Sequence, residues 1–321
     1  MTIDIGYHAS HEQFAPGELL DHLRRAEDAG FTHAMCSDHF HPWSEDQGQS
    51  GYAWSWLGAA LEATSLPLGT VCAPGQRYHP AVVAQAAATL EEMYPGRFWL
   101  GLGSGEALNE HITGERWPTK EERNARLRSS ADVIRALWRG ETVNARGFVV
   151  VEDARLYTRP PEPPPIVGAA LTPETAQWVA GWADGLVTVA QPTEDLAEMV
   201  AAFRAGGGDC KPLFLQVQLS YGLDDADSLT AAHREWRTNT FASAVLADLR
   251  LPEDFAAAAE HVEHEHMREA VMVGADLDGH IERLREFVDL GFSRIYLHNV
   301  HRDQQRFIRD FGAHVIPEVV T

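Results

Sequence analysis

The sequence holds only three cysteines, Cys36, Cys72 and Cys210, far apart and without a C-x-x-C pair. That excludes a disulfide scaffold and a paired-thiol redox motif, and it suits a reducing compartment. Basic residues are scarce as well: 26 Lys and Arg against 47 Asp and Glu leave a formal charge of −21. Such a chain repels nucleic-acid phosphates and anionic membrane surfaces, so neither is an expected partner, although backbone N–H groups and a few arginines can still hold a small anion. No apolar run approaches the length of a membrane span, about 18 residues. The opening MTIDIGYHASHEQF lacks the basic segment and apolar core of a signal peptide, and a cytoplasmic protein is expected. A dinucleotide fingerprint is also missing. The first predicted strand runs into HASHEQF, and Gly101-x-Gly103-x-Gly105 has neither the G-x-G-x-x-G register nor an acidic residue about 20 positions on.

What is present is a chain of 321 residues, 45% hydrophobic and 23% charged, without low-complexity tracts, which is enough to bury a substantial core. Short apolar runs alternate with segments of helical period, the pattern of βα units around a parallel sheet. Eight strands are predicted, at 3–7, 32–36, 68–71, 97–101, 165–168, 185–188, 212–219 and 293–298. In the first unit Leu19, Leu20, Leu23 and Ala26 share a helical face that Gly30 ends, and Gly291 ends a similar stripe before the last strand. Further helices are predicted at 54–63, 80–93, 120–138, 173–182, 193–205, 277–290 and 303–311, with a pair between 228 and 262. Thr119 with Glu122 fits a capping box, and Thr172-Pro173 fits an N-cap followed by proline. GETVNARGFVVVEDARLY, 140–157, reads as a hairpin inserted between units four and five, and PPEPPP as an extended connector. The expected architecture is a TIM-type (β/α)8 barrel with insertions, its active site at the C-terminal strand ends. An open doubly wound sheet is the competitor.

In a barrel, polar residues just after each strand meet at one mouth. Strand one leads to His8 and Glu12, strand two to Asp38, His39, His41 and Trp43, strand three to Cys72, strand four to Ser104, Glu106 and Asn109, and strand eight to His298 and Asn299. His39 is the best general-base candidate, because imidazole titrates near neutral pH; a histidine satisfying a loop backbone is the competing reading. Glu106 follows three alternating glycines that admit close backbone approach, and partial burial would let its carboxyl donate a proton. Its competing role is a helix cap. His39-Phe40-His41 could ligate a metal, but the ends of strands five and six, GAALT and TVAQP, supply no further ligands. HVEHEHMRE, 261–269, reads as a solvated helix face, and Trp54 and Trp56 as packing residues.

Five stretches carry a resemblance: ASHEQFAP at 9–16, SDHFHPW at 37–43, RYHPAVVAQAAATL at 77–90, GLGSGEALNE at 101–110 and DQQRF at 303–307. With them the chain resembles the luciferase-like barrel superfamily and, within it, the deazaflavin enzymes related to coenzyme F420-dependent glucose-6-phosphate dehydrogenase. The resemblance implies one barrel domain over residues 1–321, a homodimer, and coenzyme F420 lying across the mouth and exchanging hydride at C5 with an alcohol or carbonyl. By motif, His39 is the expected base, Glu106 the acid serving the deazaflavin, and Trp43 the wall that places substrate. Asp38, Asn109, Ser104, Gly105, Gly168 and Ala169 are expected at the cofactor. So are Thr70, Val71 and Cys72, around a non-proline cis peptide at 70–71 or 71–72. Glu12, Trp43 and His298 are expected at the substrate. The sugar-phosphate enzymes hold phosphate with Thr and Lys after strand six, and with Lys and Arg further on. Here that region reads Thr188-Val-Ala-Gln-Pro192, and the later one offers Arg268-Glu269. A dianion without paired cations is poorly held, so the expected substrate is a neutral alcohol or its carbonyl counterpart and not a sugar phosphate. The alternatives are an FMN-dependent monooxygenase on the same fold, a metal-dependent barrel hydrolase and a non-catalytic barrel that retains cofactor.

Overall fold

The fold comes from a computed structural model, which describes residues 3–320. Eight parallel strands close into a barrel: β1 (Asp4–Ala9), β2 (His33–Cys36), β3 (Leu68–Cys72), β4 (Phe98–Leu102), β5 (Ile166–Ala169), β6 (Gly185–Val189), β7 (Leu213–Ser220) and β8 (Arg294–Asn299). Each pairs with its neighbours in chain order. β8 pairs with β1, and β6 pairs with β7. The strands fall where the apolar runs place them.

The helices between strands are set by local chemistry. Pro16–Asp28 starts with proline, buries Leu19, Leu23 and Ala26, and gives way to Gly30 at φ +97°. Lys120–Trp138 starts on a complete capping box: Thr119 Oγ1 accepts from Glu122 N, and Thr119 N donates to Glu122 Oε2. Val143–Ala145 and Val151–Ala154 form the inserted antiparallel hairpin.

Two expectations about the segment after β7 needed correction. Where a helix pair was expected between 228 and 262 there are three helices, Asp225–Trp236, Ser243–Asp248 and Pro252–Ala258. HVEHEHMRE is not one helix face, because Val262 and Glu263 are extended and split it into short turns. A two-residue strand, Met272–Val273, then adds to Leu219–Ser220. It is too short to carry a period.

The barrel interior is filled by Met35, Trp99, Val167, Val187, Phe214 and Tyr296. Glycines on neighbouring strands make room for the large rings. A Cβ on Gly69 would lie 2.0 Å from the Trp99 indole, and one on Gly6 would lie 2.5 Å from the Tyr296 ring. This plug closes the lower barrel, so polar strand-end residues have one place to gather. The upper end is roofed by a second apolar cluster, Trp43, Leu108, Trp236, Phe255, Met267 and Val271. Most of it comes from the segment after β7.

Candidate active site

Strand alternation decides which side chains reach the mouth. On β3, Val71 joins the interior cluster while Cys72 packs in the outer core and Thr70 is fully buried. Thr70 Oγ1 donates to the Cys36 carbonyl at 2.9 Å, and burial pushes the Cys72 thiol well up. Gly168 likewise backs onto a helix, since a Cβ there would meet Val179 at 2.3 Å. Thr70, Cys72 and Gly168, expected at the cofactor, thus turn their side-chain positions away from the mouth, and only their backbone could meet a ligand there. The expected cis peptide is corrected as well. Every described peptide bond is trans, and β3 keeps regular parallel pairing with β4 through Val71 and Cys72.

What faces the mouth is a flat, small-residue floor. Val71 and Ala169 are half-buried above the interior plug, and a Cβ on Gly103 would sit 3.6 Å from Val71 and 3.7 Å from Ala169. Gly105 follows at φ +85°, a conformation that only glycine adopts without strain. Floor and loop together suit a planar ring system with a backbone-bound tail, so the residues present fit a flavin-like cofactor. Ser104 borders it, half-buried.

The polar centre is His39. Its Nε2 lies 3.6 Å from Glu12 Oε1 and 3.9 Å from Glu106 Oε2, and its ring packs against Trp43 at 4.8 Å. The two carboxylates differ in kind. Glu12 is buried, which alone would raise its carboxyl. His39 and the hydroxyl of Ser37, which donates to Oε2 at 2.6 Å, outweigh burial and hold it below the usual range. Ser10 adds a second hydroxyl to the same oxygen at 2.9 Å. Glu106 keeps 31% side-chain exposure at the mouth. Desolvation is nevertheless its largest influence, and it raises the carboxyl, with Glu12 and Glu110 adding to the effect and His39 opposing it. One imidazole thus sits between a carboxylate biased to stay ionised and a carboxyl biased to keep its proton. Environments that push two carboxyls apart in this way mark acid and base roles. Glu106 precedes the short helix Ala107–Glu110, yet its side chain makes no capping bond.

The surrounding residues fix this geometry. Asn109 Oδ1 accepts from Phe40 N at 2.8 Å while its amide reaches Glu106 Oε2 at 3.5 Å, joining the β2 loop to Glu106. The Asp38 carboxylate, expected at the cofactor, is 1% exposed and taken up internally. Tyr78 OH donates to it at 2.8 Å, and Arg77 Nη2 lies 3.3 Å away. Burial still raises that carboxyl. Arg77 also pairs with Glu110 at 3.3 Å and so ties the loop of His39 to the helix that follows Glu106.

His41 does not converge with His39. Its Nδ1 donates to the Leu108 carbonyl at 2.9 Å, and its ring stacks on His111 at 5.3 Å. Among the described residues no group of three or more His, Cys, Asp or Glu could hold a metal ion. His298, on β8, is buried against β1, stacked on His8 at 4.4 Å, with Nε2 2.9 Å from Gln13 Oε1. Burial lowers its imidazole to about 3. Gln13, Ser37 and Arg77 were not among the expected site residues, although Gln13 and Ser37 sit in the strand-end loops where the rule points.

The family model for luciferase-like monooxygenases matches residues 1–294. An F420-dependent glucose-6-phosphate dehydrogenase of Intrasporangium calvum is 37% identical over 98% of this chain and 98% of its own length. That of Microbacterium testaceum is 36% identical over 99% and 98%. Among solved structures, an F420-dependent secondary alcohol dehydrogenase in complex with an F420-acetone adduct superposes with a TM-score of 0.93 at 31% identity, covering 99% of both chains.

Proposed function

The chain belongs to the luciferase-like monooxygenase family, and from that premise we propose that it is a coenzyme F420-dependent oxidoreductase acting on CH–OH or C=O groups. The observation that carries this reading is His39 held between Glu12 and Glu106, carboxyls of opposite bias, beside the floor of Val71, Gly103 and Ala169. When bound, the deazaflavin supplies the carbon that accepts or returns hydride. The protein handles the protons. As an alcohol is oxidised its hydroxyl proton passes to His39 Nε2, and ionised Glu12 stabilises the resulting imidazolium. Glu106 holds a proton at the opposite side and balances charge there, and Trp43 with its apolar cluster keeps water out. Asp38 and Asn109 act through the β2 loop and Glu106. Val71, Ala169, Gly105 and Ser104 are the proposed cofactor contacts, and His298 the proposed substrate floor.

Two substrate readings have support. The apolar roof favours a neutral secondary alcohol, and the nearby arginines are already engaged: Arg77 with Asp38 and Glu110, Arg302 with Glu235, and Arg283 with Glu286 and Thr193. The relatives named glucose-6-phosphate dehydrogenases run against the expectation that a sugar phosphate is not the substrate, so that reading stands as the second. Titration with oxidised F420, then turnover with 2-propanol and with glucose 6-phosphate, separates them. Binding that fails to saturate below about 100 μM, well inside the usual range for enzyme ligands, would remove the F420 reading; oxygen uptake with bound FMN would favour a monooxygenase. We also propose a cytoplasmic homodimer, supported by family likeness, which light scattering in solution tests. No helix among the described residues is long and apolar enough to cross a membrane.

A further inference from the structure

Arg302 makes an unusual set of contacts for a residue outside the catalytic centre. It follows β8, and its guanidinium reaches three other segments. Nε lies 2.9 Å from Glu235 Oε1 and Nη2 3.2 Å from Glu235 Oε2, a two-pronged pair with a carboxylate that is 1% exposed. Nη1 donates to the Gln13 carbonyl at 3.1 Å, and Nη2 to the carbonyls of Asp46 at 2.9 Å and Gln47 at 3.3 Å. Glu235 distributes the connection further. Its Oε2 accepts from Gln13 Nε2 at 3.1 Å, and its backbone carbonyl accepts from Gln47 Nε2 at 3.1 Å. Gln47 Oε1 in turn accepts from Trp43 N at 2.9 Å. Because Gln13 Nε2 also donates to the Val300 carbonyl, the amide orientation is fixed and Oε1 is left to face His298 Nε2.

The loops that meet at this pair are the ones that matter chemically. Gln13 adjoins Glu12, the carboxylate nearest His39; Asp46 and Gln47 close the β2 loop that carries His39 and Trp43. We propose that the Arg302–Glu235 pair is a positioning pin, which sets the Glu12–His39 spacing and the Trp43 wall from outside the reaction centre. The geometry requires the planar fork: a lysine could keep the ion pair with Glu235 but could not reach three carbonyls at once. A displacement of about 1 Å at such a centre costs on the order of 100-fold in rate.

This inference rests on the proposed oxidoreductase reading, so the wild-type enzyme is tested first: no F420-dependent turnover would sink that reading alone. With turnover in hand, Arg302→Lys and Glu235→Gln are compared with wild type for circular dichroism, F420 affinity by titration, kcat, KM and the pH profile of kcat. The expected result is native ellipticity, F420 affinity within about 3-fold of wild type, kcat lower by about 30- to 100-fold, and a shifted limb in the pH profile as the Glu12–His39 spacing relaxes. Gln47→Ala removes the side-chain bonds to Trp43 N and to the Glu235 carbonyl while leaving the Arg302–Glu235 ion pair, and is expected to raise the alcohol KM with a smaller change in kcat; it also serves if either pin variant fails to fold. A loss of rate that follows the folded fraction, with kcat per folded enzyme and pH profile unchanged, would overturn the proposal.

Discussion

Acidification is expected to destabilise this protein from beneath its mouth. His8, His11 and His298 are buried beside β1 and β8, and His8 Nδ1, His298 Nδ1 and both nitrogens of His11 lack a hydrogen-bond partner. Burial lowers the imidazole of His11 to about 4 and that of His298 to about 3, and it takes His8 well below the ordinary value. In the unfolded chain each titrates near 6.5. Between about 6.5 and the folded values the unfolded state binds more protons, so stability is lost as pH falls through that window. At pH 5 an imidazole that stays neutral when folded gives up about 1.5 pH units at about 1.36 kcal/mol each, or ~2 kcal/mol. His11 and His298 together account for about 4 kcal/mol between pH 7 and pH 5, against a total near 5–15 kcal/mol. Asp38, Glu106 and Glu110 work the other way, since their raised carboxyls let the folded state take protons first. The clean measurement is therefore a difference. Urea unfolding of wild type and His298→Asn at pH 7 and pH 5 should show the variant losing about 2 kcal/mol less on acidification. Parallel pH profiles would refute a neutral, buried His298.

Glu106→Gln is expected to slow turnover and to remove the limb on which activity declines as pH rises through the raised carboxyl of Glu106; a retained limb in the kcat profile would reassign it. Gly69→Ala drives a methyl group against the Trp99 indole and should cost about 1–3 kcal/mol in denaturant unfolding. His41→Ala loses the bond to the Leu108 carbonyl and the stack on His111, which should lower stability by about 0.5–1.5 kcal/mol, while chelators leave activity of the wild type unchanged.

The barrel was legible because apolar runs and helical stripes alternate eight times, and because Gly30 and the Thr119 box carry their own local chemistry. The strand-end rule also located His39, Glu106 and Trp43, which the fold brings together. It did not say which way each residue points. On β3 and β5 the two-residue alternation sends Thr70, Cys72 and Gly168 outward and Val71 and Ala169 inward, an inference open to the sequence once the strand register is fixed. Asp38 was expected at the cofactor through the motif resemblance, but its partner Arg77 is 39 residues away and no local pattern links them. Glu235 shows the limit most clearly. Its neighbours in sequence are an ordinary helix, and only closure of the barrel sets it against Arg302 and Gln13.

The proposed chemistry has His39 moving the proton while a bound deazaflavin exchanges hydride. Its most direct test is single-turnover oxidation of a secondary alcohol by the F420-loaded enzyme, wild type against His39→Ala, with F420 affinity measured in the same preparations. Affinity within about 3-fold and a rate lower by about 100- to 10,000-fold are expected in the variant. Unchanged turnover at equal cofactor occupancy would contradict it.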